Sequence, residues 1–135
     1  MRKFGMLALA GLVAGCSLGA DVPVAEKAVT AFHQQLDAGQ FAESYKGASS
    51  EFRSATTEAD WVKLAGAVHR KLGKFLSSTQ LGWNDQSTTS GHFIALGYKS
   101  KFEHGDATEQ FTYRIDGGKA SLAGYNVNSN ALITN

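Results

Sequence analysis

The stretch WVKLAGAVHRKLGKFLSSTQLGW, residues 61–83, contains the change of hydrophobic period that decides the fold. Apolar side chains recur at helical spacing in its first half, at Trp61, Leu64, Ala65, Val68 and Leu72. This spacing predicts an amphipathic helix that buries all five side chains and ends at Gly73. From Phe75 onward the period falls to two, which is typical of a strand. The chain therefore changes from helix to sheet between Gly73 and Phe75.

Two more helices are predicted upstream of this stretch. Asp21 as the cap and Pro23 near the first helical position predict the start of the first helix, and Gly39 predicts its end. Apolar side chains at helical spacing support it, at Val24, Ala28, Ala31, Phe32 and Leu36. A short second helix is predicted directly afterwards, over residues 41–48.

A polar connector is predicted over residues 49–56, with Phe52 as its one apolar anchor. Thr57 and Asp60 then form a capping-box pattern in which aspartate replaces the usual glutamate or glutamine. This pattern predicts the start of the third helix, the one that contains Trp61.

Four strands are predicted downstream, over residues 75–83, 91–102, 109–115 and 120–127. Turn residues at 105–106 and 116–118 favour hairpins, so consecutive strands should pair antiparallel, and residues 84–90 should form the one longer loop. Glycines inside the strand patterns predict bulges and strong curvature, at Gly82, Gly97 and Gly124. The predicted fold class is α+β, with three N-terminal helices packed on a curved four-stranded antiparallel sheet.

The N-terminal segment has the layout of a secretory signal peptide. Arg2 and Lys3 supply positive charge, and residues 4–13 carry no polar side chain. A helix needs about 20 apolar residues to cross a bilayer, so this run of ten is too short to be a retained transmembrane span.

The end of this segment resembles the lipobox of bacterial lipoproteins, in residues 12–16 with the sequence LVAGC. The resemblance implies that Cys16, the only cysteine, carries a diacylglyceryl group, that the chain is cut just before it, and that the new amino group is acylated with a fatty acid such as palmitate. Ser17, in place of the aspartate that often retains lipoproteins in the inner membrane, favours the periplasmic face of the outer membrane. The alternative is an ordinary cleavable signal peptide that contains a cysteine.

These features predict the domain organisation. Residues 1–15 are expected to be a signal peptide, 16–23 a lipidated anchor with a short tether, 24–128 one α+β domain, and 129–135 a polar tail. Loss of Arg2 and Lys3 from the 13 basic residues would leave 11 against 12 acidic residues. This balance does not suit nucleic-acid binding.

No metal or cofactor is predicted. The four histidines are His33, His69, His92 and His104, and none lies at zinc-ligand spacing from another histidine or cysteine. His33 and His69 are expected at the boundaries of the helical apolar faces. No phosphate-binding loop, nucleophile elbow or catalytic triad is visible.

A family resemblance covers about residues 24 to 127. The residues that carry it are the run LDAGQF at 36–41 with Ser44 and Tyr45, then Trp61 with Val62, Leu72 with Gly73, and the run AGY at 123–125. They resemble small exported bacterial proteins grouped as the domain of unknown function 4019 family, which has no agreed activity. The order of elements is also similar to the cone-shaped fold of nuclear transport factor two and ketosteroid isomerase.

The cone-shaped fold implies a cavity that three of the strands could line. Side chains on its predicted inner faces are His92, Tyr98, Glu109, Tyr113 and Tyr125. An isomerase would need a carboxylate base and an oxyanion donor to converge there. The alternative is that the tyrosines are core residues and Glu109 is an exposed charge at the end of a strand.

Two surface features suggest partners instead. Trp83, Asn84 and Asp85 are the preferred contact for a protein partner, because tryptophan is enriched at interface hot spots; the alternative is that Trp83 belongs to the core. A basic cluster closes the third helix, at His69, Arg70, Lys71 and Lys74. It would complement the helix dipole or contact anionic headgroups or an acidic partner.

Two functions from different classes follow. The first is a non-catalytic binding module, which includes inhibitors and immunity proteins. The second is a small-ligand carrier or isomerase-type enzyme that uses the cone. Because no convergent polar set is visible in the sequence, the binding module is preferred.

Overall fold

The computed structural model describes residues 18–134. Four helices precede the sheet: α1 Val22–Asp37, α2 Phe41–Lys46, α3 Ser50–Ala55 and α4 Glu58–Leu72. The strands are β1 Phe75–Thr88, β2 Gly91–Phe102, β3 Gly105–Asp116 and β4 Lys119–Asn128, followed by the short helix α5 Ala131–Thr134. The signal peptide and Cys16 lie outside the described residues.

The strands form one antiparallel sheet in the order β1-β2-β3-β4. The predicted α+β class, with helices before a four-stranded antiparallel sheet, is therefore confirmed. Within residues 18–134, no helix is both long enough and apolar enough to span a bilayer.

Helix caps explain where α3 and α4 begin. The Thr57 hydroxyl accepts a hydrogen bond from the Asp60 N–H at 3.2 Å, as the sequence predicts. The Ser49 hydroxyl caps α3 in the same way, from the Phe52 N–H at 3.4 Å. The predicted connector over 49–56 was wrong, because a helix of six residues is too short to show a period. Asp21 precedes α1 without a capping side-chain hydrogen bond.

Two strands are longer than predicted. The β1 ladder continues to the pair Thr88 and Gly91, so the predicted loop over 84–90 is strand except for a tight turn. β3 begins at Gly105, which puts Glu109 in the middle of the strand rather than at its end. The added residues of both strands are mostly polar, so they did not give an apolar strand pattern. β1 in particular is exposed on most of its length and does not alternate between buried and exposed residues.

Of the three register shifts in the sheet, one lies between Phe75 and Ser77, and the other two occur near predicted glycines. One of these two lies between Gln80 and Gly82 on β1. The other lies where Thr112 pairs with Gly124 and the next residue of β3 pairs with Leu122. Gly97 instead lies in a regular part of the ladder, opposite Gly82.

The core has two parts. The larger part lies between α1, α4 and the middle of the sheet, and its aromatic centre is Phe32, Trp61 and Phe111. The smaller part contains Val68, Leu72, Phe102, Ala107 and Ala131. The segment predicted to be a polar tail therefore contributes to the core. Its Ser129 hydroxyl donates to the Asp106 carbonyl at 2.6 Å, which holds α5 against the start of β3.

The predicted buried face of α4 is correct except at Leu64. Trp61, Ala65 and Leu72 are buried, but the Leu64 side chain is 51% exposed. The three buried residues lie within a narrow stripe along the helix, and Leu64 lies to one side of it. The sheet and α1 cover only the stripe.

Two leucines of α4 give a test of this packing. Leu72→Ala should lower the free energy of unfolding by about 2 to 5 kcal/mol, since Leu72 is fully buried. Leu64→Ala is the matched control and should change it by about 0.5 kcal/mol or less. Urea denaturation of residues 17–135 measures both. Equal losses for the two variants would contradict the burial described here.

Candidate functional site

The chain buries one carboxyl group in the centre of the sheet. Glu109 is 0% exposed and lies on β3 between Tyr98 of β2 and Val127 of β4. Alternate residues of β3 face the helices, and this period places Glu109 on the same inner face as Phe111 and Tyr113. A buried carboxyl group is costly unless hydrogen bonds replace the lost water.

Three side chains supply those hydrogen bonds. The Ser100 hydroxyl donates to Glu109 Oε1 at 2.6 Å, and the Tyr125 hydroxyl donates to Oε2 at 2.6 Å. Nε2 of His33, on α1, lies 2.8 Å from Oε1. The His33 ring stacks on Phe75 with 3.7 Å between ring centroids. We call these five residues the Glu109 cluster.

Burial changes the acidity of the tyrosines around this cluster. Burial, and after it the charge of Glu109, raises the pKa of Tyr125 well above its ordinary value. Burial also raises the pKa of Tyr98 and of Tyr113. All three phenols therefore stay protonated at neutral pH, and Tyr125 is held as a hydrogen-bond donor.

The geometry of the Glu109 cluster is that of a closed structural network. Both oxygens of Glu109 are already engaged, and the side chain has no exposed surface. None of the four described clefts is lined by Glu109. A general base must come within hydrogen-bond reach of its substrate, and Glu109 in this arrangement has no such access. Two sequence expectations are thereby corrected: Glu109 is not an exposed strand-end charge, and His33 is a buried partner rather than a boundary residue.

Tyr98, Tyr113 and Tyr125 share the inner face with Glu109 but have different roles. The Tyr98 hydroxyl lies 3.3 Å from Nε2 of Gln80, which can donate to it. The buried Tyr113 hydroxyl has no hydrogen-bond partner within residues 18–134. Tyr113 also lines a cleft of about 170 Å³ that α1, α2 and the sheet form together.

His92 belongs to a second, separate group at the other end of the sheet. Its Nε2 lies 2.6 Å from Oδ1 of Asp85, and its Nδ1 lies 3.7 Å from Oδ2 of Asp21. The backbone N–H of Gly19 donates to the other Asp85 oxygen at 2.9 Å. The Gly19 N–H, and then His92, hold the pKa of Asp85 below its ordinary value.

Trp83 completes this group. A Cβ on Gly19 would lie 2.8 Å from the Trp83 ring, so the chain passes directly against the indole. We call Gly19, Asp21, Trp83, Asp85 and His92 the N-terminal clamp. The proposed partner-contact residues Trp83 and Asp85 thus hold the chain's own N-terminal segment, although Trp83 stays 47% exposed. Asn84, between them, is exposed on β1.

The basic cluster lies at the opposite end of the sheet from the N-terminal clamp. It closes α4, where the His104 N–H donates to the Leu72 carbonyl at 2.9 Å. Lys71 Nζ donates to the Leu132 carbonyl at 2.6 Å, and His69 lies 3.8 Å from Asp37. Half of the cluster therefore has partners within the domain.

The structure gives no candidate metal site in the part of the chain that it describes. Among residues 18–134, no group of three or more histidine, cysteine or acidic side chains could hold an ion.

The family assignment rests on a direct comparison. The family model described as Protein of unknown function (DUF4019) matches residues 28–125, from within α1 to within β4. The chain therefore belongs to that family. No curated protein matches the chain.

Sequence reasoning placed Glu109 on the inner face but missed its partners His33 and Ser100. The period of two on β3 already placed Glu109 on the face of Phe111 and Tyr113. Its partner His33 is 76 residues away, and nothing in the sequence links the two. A charged residue inside an otherwise apolar strand face was the available signal.

Variants of Glu109 test the network. Glu109→Ala would leave three buried polar side chains without their acceptor, so unfolding should become easier by about 3 to 5 kcal/mol. Glu109→Gln keeps the shape and an acceptor oxygen, and its loss should be smaller. Glu43→Ala, at an exposed glutamate of α2, is the control and should cost about 0.5 kcal/mol or less. A Glu109→Ala protein as stable as wild type in urea denaturation would show that the cluster contributes nothing.

Proposed function

We propose that this protein is a lipid-anchored, non-catalytic binding module on the periplasmic face of the outer membrane, and that it holds a protein partner by adding a strand at the β1 edge. The observation that carries the proposal is that the edge strand β1 has no lysine, arginine or proline and exposes large apolar side chains. The class includes inhibitors and immunity proteins, and the helical and sheet layers would take the cone-like arrangement of nuclear transport factor two.

β1 is a long edge strand whose protection is limited to two register shifts, near Ser77 and Gly82. It runs for 14 residues and pairs only with β2. Natural edge strands are commonly protected by lysine or proline, yet Phe75–Thr88 contains no lysine, arginine or proline. Its one charged residue, Asp85, is engaged in the N-terminal clamp.

The opposite edge of the sheet differs. The carbonyl of Leu122 on β4 accepts a hydrogen bond from the Ser49 N–H at 2.9 Å, and α3 packs beside it. α3 therefore covers part of the β4 edge.

Exposed apolar side chains accompany the free edge. Three of the six large exposed apolar residues in the described part of the chain lie on β1: Leu76, Leu81 and Trp83. Main-chain hydrogen bonds give affinity when a strand is added to an edge, and exposed side chains outside the N-terminal clamp, here Leu76 and Leu81, give specificity. An extended segment of a partner protein fits this chemistry.

Small-ligand carriage is the second candidate function. It is favoured by the cleft of about 170 Å³ and by the unpartnered hydroxyl of Tyr113 that lies beside it. The closed Glu109 cluster gives the isomerase version less support than the carrier version.

Lipid attachment can be tested by replacing the thiol of Cys16. Cys16→Ser should leave a full-length precursor without lipid, because attachment and the following cut both need the thiol. Metabolic labelling with a fatty-acid analogue and the electrophoretic mobility of the product measure this. A variant that still incorporates label and matures would refute the anchor.

The β1 edge can be tested with lysine substitutions. Leu81→Lys should abolish retention of the partner from envelope extract, since an exposed lysine discourages strand addition. Leu64→Lys places the same charge at a similarly exposed leucine of α4 and should retain it. Residues 17–135 serve as bait, and a panel of small metabolites is screened in parallel. Equal retention by both variants, or saturation of the domain by a small ligand alone, would contradict the proposal.

A further inference from the structure

We infer that the N-terminal clamp orients the domain on the membrane, so that the β1–β2 hairpin end faces the bilayer and Trp83 contacts the lipid headgroup region. The inference rests on the proposed lipid anchor at Cys16 and adds the orientation of the domain to it.

The clamp fixes where the anchored segment leaves the domain. The Gly19 N–H is hydrogen-bonded to Asp85, and Asp85 is held in turn by His92. Gly19 has a φ of +83°, a conformation that residues with a Cβ rarely adopt, and a Cβ there would collide with Trp83. Glycine is therefore required at this position for the segment to lie against the indole.

Covalent geometry limits the distance from the clamp to the lipid. Cys16 precedes Gly19 by three residues, so their Cα atoms are at most about 11 Å apart. The hairpin turn after Thr88 lies three residues beyond Asp85, which is about 10 Å along the strand. The lipid-bearing residue and the hairpin turn are thus both within about one nanometre of the clamp.

The other end of the sheet is much farther away. Phe75 lies ten residues before Asp85 on β1, which corresponds to about 33 Å. The basic cluster lies at that far end, next to the His104 and Leu72 contact. While the clamp is closed, the basic cluster faces away from the lipid, and attraction to anionic headgroups does not set the orientation.

The exposed side chains at the clamp suit a headgroup region. Leu18, two residues after Cys16, is 75% exposed, and Trp83 is 47% exposed. Tryptophan is enriched at the membrane–water interface because its ring is amphipathic. Leu18 and Trp83 flank the point where the tether leaves the domain.

Fluorescence quenching by brominated lipid tests the orientation. The full chain is expressed, purified in its lipidated form and reconstituted in phosphatidylethanolamine and phosphatidylglycerol vesicles with brominated acyl chains. The chain has two tryptophans, and Trp61 is buried in the core. Part of the emission should be lost in wild type and none in Trp83→Phe. A far-end tryptophan added by His104→Trp alone, which leaves the clamp intact, should contribute emission that the brominated lipid does not quench.

A glycine pair tests the clamp itself. Gly19→Ala should reduce the quenching of Trp83, because the added methyl group collides with the indole. Gly39→Ala has a similar φ of +73° and open space around it, so it controls for backbone strain and should leave the quenching unchanged.

The outcomes separate the two proposals. An intact mass without lipid overturns the anchor and the orientation together. A lipidated protein whose Trp83 is not quenched, or whose far-end tryptophan is quenched equally, overturns the orientation alone. Equal quenching in Gly19→Ala and wild type overturns the role of the clamp.

Discussion

The buried carboxyl group of Glu109 is the constraint on which the rest of the structure depends. Each strand and the first helix contributes one member to the cluster around it. Phe75 comes from β1, Ser100 from β2 and Tyr125 from β4, while His33 comes from α1. A slip of α1, β2 or β4 would leave a polar group buried without a partner, at about 1 to 3 kcal/mol for each neutral group. The cluster therefore favours one arrangement of helix on sheet over its alternatives.

The same constraint leaves Glu109 unsuited to act as a catalytic group. A catalytic carboxyl group needs an approach for substrate, and the hydrogen bonds that stabilise Glu109 also occupy both of its oxygens.

Sequence alone predicted the parts of the fold that depend on local patterns. The period along α4, the stop at Gly73 and the strand order follow from spacing and turn residues, and the family resemblance is confirmed. Prediction from the sequence failed where tertiary contacts determine which side chains are buried. Leu64 is exposed because the packed stripe is narrow, and α5 contributes Ala131 to the core because of contacts with β3 and α4. The N-terminal clamp joins residues 66 positions apart, which no local pattern could indicate.

The two roles proposed for the edge strand β1 do not compete. The clamp uses the side chains of Trp83 and Asp85, which lie on the inner face opposite Leu96 and Ile94 of β2. Strand addition uses backbone N–H and C=O groups, which point along the plane of the sheet. The tether therefore occupies the face of β1 and leaves its edge free. An anchored domain of this kind can present a pairing edge close to the membrane surface without releasing its anchor.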